Sequence, residues 1–263
     1  ILTHLDVVPE GDNWSYPPYG AEIHDNKIYG RGALDNKGPT IATLYAMKAV
    51  KELGFDLNKK VRLILGTDEE SGWEGLEYYQ EKEELPERGF SPDASFPVIH
   101  AEKGIMIFNL NMNFSNLIDN LDGVNIKKIK GGNAPNMVPD YCEAVVETDD
   151  ISALEEILET SKYDLELVQE NGKLMIQSFG KSAHGSTPAK GQNAISQLIS
   201  FLNSIKKPDD DINSFIDWYD QHIGMEYYGE SIGCGFEDKV SGKLIFNVGM
   251  IEMNRNQVKL TVN

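Results

Sequence analysis

Apolar and polar positions along the chain fall into blocks of two periods. Residues 1–8, ILTHLDVV, are rich in β-forming side chains and read as a buried strand running into a loop. In AEIHDNKIYGRG, two short β-like runs flank Asp25-Asn26, the pattern of a tight hairpin. From Pro39 to Leu53, apolar residues recur three and four apart around Ile41, Leu44, Tyr45, Met47 and Ala49. That spacing predicts a helix, with Gly38-Pro39 suited to its start and Gly54 to its end. A strand KVRLILG, an acidic turn, a helix from Gly75 to Glu84 and more strand in FPVIHAEKGIMIFNLNMNF follow. Strands and helices alternating in this order predict an α/β layered domain, its mostly parallel sheet flanked by helices.

The pattern changes after about Phe114. A polar stretch rich in Asn and Asp leads to short strands, a helix ISALEEILETS and the strand-like KLMIQSFGKSAHGS. A second helix, NAISQLISFLNSI, precedes KLIFNVGMIEMNRNQVKLTVN, which reads as strand again. Two strand-helix-strand units predict a smaller α+β domain. The expected division is residues 1–110 and residues 111–263, with both parts incomplete. The chain opens at Ile1 inside an apolar run and stops inside a strand-like segment, so it reads as part of a longer polypeptide.

Composition narrows the classes. The 263 residues carry a net charge of −18, which argues against nucleic acid, whose phosphates attract Lys and Arg clusters. No run approaches the ~20 apolar residues of a membrane span, and no signal peptide is evident. Cys142 and Cys234 lie far apart with no metal-type spacing, and read as buried or half-buried residues of a reducing, cytoplasmic setting.

The candidate chemistry lies at the ends of the expected strands. His4 and Asp6 in THLDVVP share one strand face, so the carboxylate could orient a metal-binding imidazole; a chance pair on a surface strand has the same spacing. Asp35 sits in a loop bracketed by Gly30, Gly32 and Gly38, where backbone can approach a ligand; a capping aspartate in a glycine-rich turn looks the same. In TDEES, Glu69 and Glu70 follow a strand, so one could bind a cation while the other handles protons. Asp93, after Ser-Pro, reads alone as a turn residue. Together His4, Asp35, Glu70 and Asp93 offer nitrogen and oxygen ligands suited to zinc, with manganese or cobalt as alternatives. Three carboxylates and an imidazole exceed what one catalytic zinc takes, so two metals sharing a carboxylate are a natural reading.

Four blocks, THLDVVPEGDNW, YGRGALDNKGP, TDEESGW and SPDASFPVIHAEKG, resemble in order and spacing the dinuclear zinc aminoacylase and carboxypeptidase-type metallopeptidases. The nearest branch is the PepV-like bacterial dipeptidases, related to carnosinases. The likeness continues through GGNAPNMVPD and GKSAHGSTPAKGQNA and covers nearly the whole chain. It implies that His4 and Asp93 bind one zinc, Asp35 bridges two, Glu70 binds the second and Asp6 orients the site. It gives Glu69 the role of general base and acid, and Asp68 only a turn or supporting role. The second domain becomes a lid whose His184 stabilises the oxyanion, with Asn136 binding substrate or the same oxygen. Without the resemblance, both would read as loop or turn residues, and His24, His100 and His222 read as surface or packing histidines.

The implied activity is hydrolysis of a small peptide, a dipeptide above all, by a monomer or homodimer. An N-acyl amino acid deacylase or desuccinylase of the same scaffold, or a non-catalytic relative, are the alternatives. The resemblance also implies a late histidine ligand and a substrate-binding arginine, neither of which is found before the chain ends.

Overall fold

The computed structural model describes residues 1–11, 14–95, 97–118, 123–205 and 207–263. The fold is mixed α/β and divides into two units, Ile1–His100 and Ala101–Asn263.

In the first unit, β1 (Leu2–His4) runs into a long loop and the hairpin of β2 (Glu22–His24) and β3 (Lys27–Tyr29). Asp25 and Asn26 at its tip have φ of 50° and 60°, the left-handed pair that a two-residue hairpin turn requires. Helix α1 (Gly38–Glu52) starts with Pro39 in its first turn and ends where Gly54 turns to φ 70°. Strand β4 (Ile64–Gly66) returns parallel to β1, with Leu2 opposite Ile64 and His4 opposite Gly66. It is shorter than KVRLILG suggested because β1 offers it only three residues to pair with. Helix α2 (Glu74–Lys82) follows a turn closed by Asp68, whose carbonyl accepts from Gly72 and Trp73 N–H and whose Oδ2 accepts from Glu74 N–H at 2.9 Å. Asp68 is therefore a turn residue. Residues 97–107 are exposed and lie in no strand. The strand expected in FPVIHAEKGIMIF begins only at Phe108, because no neighbouring strand pairs with the earlier residues among those described.

The second unit is built on seven strands: β5 (Phe108–Asn113), β6 (Asn125–Gly131), β8 (Tyr141–Glu147), β9 (Leu165–Glu170), β10 (Lys173–Phe179), β14 (Val248–Met253) and β15 (Gln257–Val262). Their order is β5-β15-β14-β6-β8-β10-β9, with every pairing antiparallel. Two-residue strands β7 (Met137–Val138) and β11 (Ala183–His184) pair beside this sheet, and β12 (Glu237–Asp238) and β13 (Gly242–Lys243) form a further hairpin. Along β8 burial alternates, with Cys142, Ala144 and Val146 inward, the period of a sheet packed on one face. Helices α3 (Ile151–Glu159), α4 (Ala194–Ser204) and α5 (Asp211–His222) complete the unit. Eight of the eleven residues of α4 are buried, including Ser196 and Gln197, whose side chains bond to the Tyr219 hydroxyl and the Phe179 carbonyl. Asn193 caps it, accepting from Ile195 and Ser196 N–H. Helix α5 was not foreseen, although Ile212, Phe215, Ile216 and Tyr219 carry the helical period and are its buried face.

Candidate metal centre

The backbone of the first unit brings four separated blocks onto one histidine. His4 ends β1 beside Gly66 of β4, and its side chain is 2% exposed. Its Nδ1 lies 3.1 Å from the Asp6 carbonyl oxygen and 3.4 Å from Asp6 Oδ1. Its Nε2 lies 2.9 Å from Asp35 Oδ1 and 3.4 Å from Asp93 Oδ2. Asp6 Oδ2 accepts the Glu70 N–H at 3.0 Å, tying β1's loop to the acidic turn after β4.

Asp35 is presented by a wide turn, Ala33–Lys37, entered through Gly32 at φ 80°. The φ of 80° favours glycine at this position, and a side chain there would also have to displace the ends of Val7 and Lys37. The Asp35-Asn36 peptide is cis. Asn36 itself, fully buried, accepts the His4 N–H at 3.4 Å through Oδ1 and donates through Nδ2 to Asp93 Oδ1. Its carbonyl accepts from Thr40 Oγ1 at 2.9 Å, fastening the turn to α1. Asn36 is the supporting residue that sequence reasoning missed. Its only local signal was its place after Asp35, and its partners lie 32 and 57 residues away.

Two sets of ligand atoms result, His4–Asp35–Glu70 and His4–Glu69–Asp93, each with all atoms within 4.8 Å of one another. The electrostatics of the bare cluster are unfavourable to charge on the acids. Burial, reinforced by Asp35 and Glu69, pushes the Glu70 carboxyl up to about 7. Burial also raises Glu69, with His4 opposing and Asp93, Asp35 and Asp6 adding to it. Asp93 is raised by burial and then by Asp35, against the pull of His4 and Asn36. Burial works to lower His4, but the Asp35 hydrogen bond and the charges of Asp93 and Glu69 outweigh it and raise the imidazole. Bare, the cluster therefore holds protons where a cation would release them.

The donor set fits divalent metal. A nitrogen and several carboxylate oxygens converge, and Asp6 Oδ1 is buried without a hydrogen-bond partner, close to the Nδ1 that a metal-bound imidazole would leave protonated. His4, Asp35, Glu70, Asp93, Glu69 and Asp6 are thus gathered in the first unit.

His184 and Asn136 lie in the second unit and are neighbours there. His184 of β11 pairs with Met137 of β7, and Gly185 N–H donates to the Asn136 carbonyl at 2.7 Å. A side chain at Gly185 would meet the Asn136 carbonyl at 2.9 Å, so NMVPD and SAHGS are packed together at a glycine. The other histidines do packing work where contacts define them: His24 stacks on Tyr16 at 3.9 Å, and His222 on Trp218 at 5.6 Å. Cys142 is buried and Cys234 half-buried, both as free thiols. No helix among the described residues is long and apolar enough to cross a membrane.

Comparison with known proteins identifies the family. Residues 1–200 match the model of peptidase family M20/M25/M40, and residues 171–260 match a peptidase dimerisation domain. "Putative dipeptidase YtjP" of Bacillus subtilis (strain 168) is 39% identical over 261 residues, covering 98% of this chain and 56% of the relative. A "Putative dipeptidase" of Staphylococcus epidermidis (strain ATCC 12228 / FDA PCI 1200) is 37% identical over 262 residues, with 98% and 56% covered. The chain thus spans little more than half the length of these relatives. With a family match over residues 1–200, the chain belongs to peptidase family M20/M25/M40.

Proposed function

We propose that the protein to which this chain belongs is a metal-dependent peptidase that hydrolyses short peptides, dipeptides above all. The observation that carries this reading is the convergence of Asp35, Glu69, Glu70 and Asp93 around His4, within a chain of a peptidase family. His4 through Nε2, Asp35, Glu70 and Asp93 would hold two cations, read as zinc, with manganese or cobalt as alternatives. When bound, the cations supply Lewis acidity and lower the pKa of water.

Asp6 then accepts from His4 Nδ1–H and keeps the Nε2 lone pair turned to the site. Glu69, half-buried among the ligands, takes the proton of the attacking water and returns it to the leaving amine. A carboxyl raised by burial holds a proton more readily than an ordinary glutamate, which suits it to take the proton from water and pass it on. His184 donates to the oxygen that becomes negative as the carbonyl is attacked, and Asn136 binds substrate or the same oxygen. The division of labour is a catalytic domain and a lid, with the boundary near residue 100 rather than at 110, because β5 (Phe108–Asn113) pairs with β15 of the second unit. The match to a dimerisation domain makes a homodimer the assembly to test before a monomer. A cytoplasmic setting, suggested by two unpaired cysteines, belongs to the same reading.

The deciding experiment is a substrate panel on the full-length, metal-loaded protein. Dipeptides should be cleaved with kcat/KM well above N-acetyl and N-succinyl amino acids. Preference for the acyl amino acids would make the protein a deacylase, and cleavage of neither would end the reading.

A further inference from the structure

The turn after β11 curls back onto its own histidine. The His184 carbonyl accepts the Thr187 N–H at 2.9 Å, closing a four-residue turn. Inside that turn the Ser186 N–H donates to His184 Nδ1 at 3.2 Å, and Ser186 Oγ lies 2.7 Å from the same nitrogen. A backbone N–H can only donate, so Nδ1 must present a lone pair. A neutral imidazole has one N–H and one lone pair, which places the proton on Nε2. The serine hydroxyl rotates freely and donates to the same lone pair. On the other side of the ring's backbone, Gly185 N–H is fixed to the Asn136 carbonyl at 2.7 Å, and no side chain fits at Gly185. The turn is therefore anchored on Asn136, just before β7, and cannot swing away from the ring without losing that bond.

We infer that Ser186 is a positioning residue, which holds His184 in the Nε2–H tautomer through its amide and its hydroxyl. The inference rests on the proposed role of His184 as a donor to the developing oxyanion. The tautomer is what that role needs: an Nε2 lone pair would repel the oxygen and could bind metal instead. The two functional histidines then have opposite protons. His4 turns Nδ1 toward Asp6 and Nε2 toward the carboxylates, whereas His184 accepts at Nδ1 and donates from Nε2.

The test is side-chain nitrogen NMR of the chain at about pH 8.5, some two units above the ordinary histidine pKa. His184 is assigned by its loss in His184→Ala, and exposed His100 serves as the unconstrained reference. We expect the Nε2–H fraction of His184 to exceed that of His100, and Ser186→Ala to reduce the excess while leaving part of it, because the amide remains. A His184 fraction equal to that of His100, a dominant Nδ1–H form, or no change in Ser186→Ala would overturn the inference. In the full-length metal-loaded protein, Ser186→Ala should lower kcat about tenfold, part of what an oxyanion donor supplies. KM should change less than twofold, and Ser186→Thr should restore kcat. If the tautomer is held but His184→Ala hydrolyses peptides at the wild-type rate, the proposed role of His184 falls while the positioning by Ser186 stands.

Discussion

The two units are held by different forces. In the second, Ile129, Ile176, Leu198, Ile199, Ile216 and Ile251 are fully buried between the seven-stranded sheet and its helices. Among the described residues of the first unit, the buried side chains are Thr3, His4, Asn36 and Thr40, all polar, while Leu34, Tyr45, Phe55 and Phe90 are well exposed. The second unit thus has the apolar burial that dominates folding free energy. The first has hydrogen bonds among His4, Asn36, Thr40 and Asp93 at its site, set against a cluster of acids that repel one another. Apolar burial thus lies mainly in one unit and the candidate cation ligands in the other.

The comparison is broken or sharpened by perturbing each unit in turn. Glu69→Ala should leave metal content near wild type and cut turnover of the full-length protein by about 10²–10⁴-fold, the range for a lost acid–base group; undiminished turnover would remove Glu69 from the proton transfer. Leu198→Ala, at a fully buried position of α4, should cost about 2–5 kcal/mol in urea unfolding of the second unit. Metal retained on dialysis should not change in this variant; a matching loss of metal would show that the two units do not separate as described.

A smaller effect is expected from pH on the metal-free chain. Glu70 titrates near 7 in the fold against about 4.3 when unfolded, so across that window the fold binds more protons than the unfolded chain. Stability of the first unit should therefore fall as pH rises from about 4.3 through 7. The raised His4 acts in the same sense, its contribution being lost as pH climbs past its folded value. Hydrogen exchange at the Leu5 and Ile64 amides, corrected for intrinsic rates, reads this directly. Bound divalent cation should flatten or reverse the slope, and an unchanged slope would argue against these carboxyls as ligands. The smallest effect is Asp150→Ala, which removes the side chain that caps α3 by accepting from Ala153 N–H at 3.0 Å. It should cost about 1 kcal/mol, confined to the second unit.

Local pattern made much of this architecture legible. The Asp25-Asn26 hairpin, α1, α3, α4 and the strands near the chain's end follow from period and turn chemistry, because each is decided within a dozen residues. Helix α5 had the same signal, diluted by Asp209 and Asp210 before it, by Asp211 at its start, by exposed Asp217, and by Asp220, which bonds to Ser200 and Asn203 of α4. The strand expected before Phe108 failed for another reason: residue type favours extension, but a strand needs a partner, and composition does not reveal one. Within the site, the pairing of His4 with Asp6 was visible in their period of two. The approach of Asp93 was visible only through family resemblance, and Asn36 was not visible at all, since its work is to join segments far apart in the chain.

The central claim is that His4, Asp35, Glu70 and Asp93 together bind divalent metal, and zinc retained per chain after dialysis tests it most directly. Asp35 is the side chain to change, because it is 64% exposed and its loss should not disturb folding. Wild type should retain zinc and Asp35→Ala should lose most of it, with unchanged circular dichroism. Equal zinc in both, or none in wild type, would contradict the account.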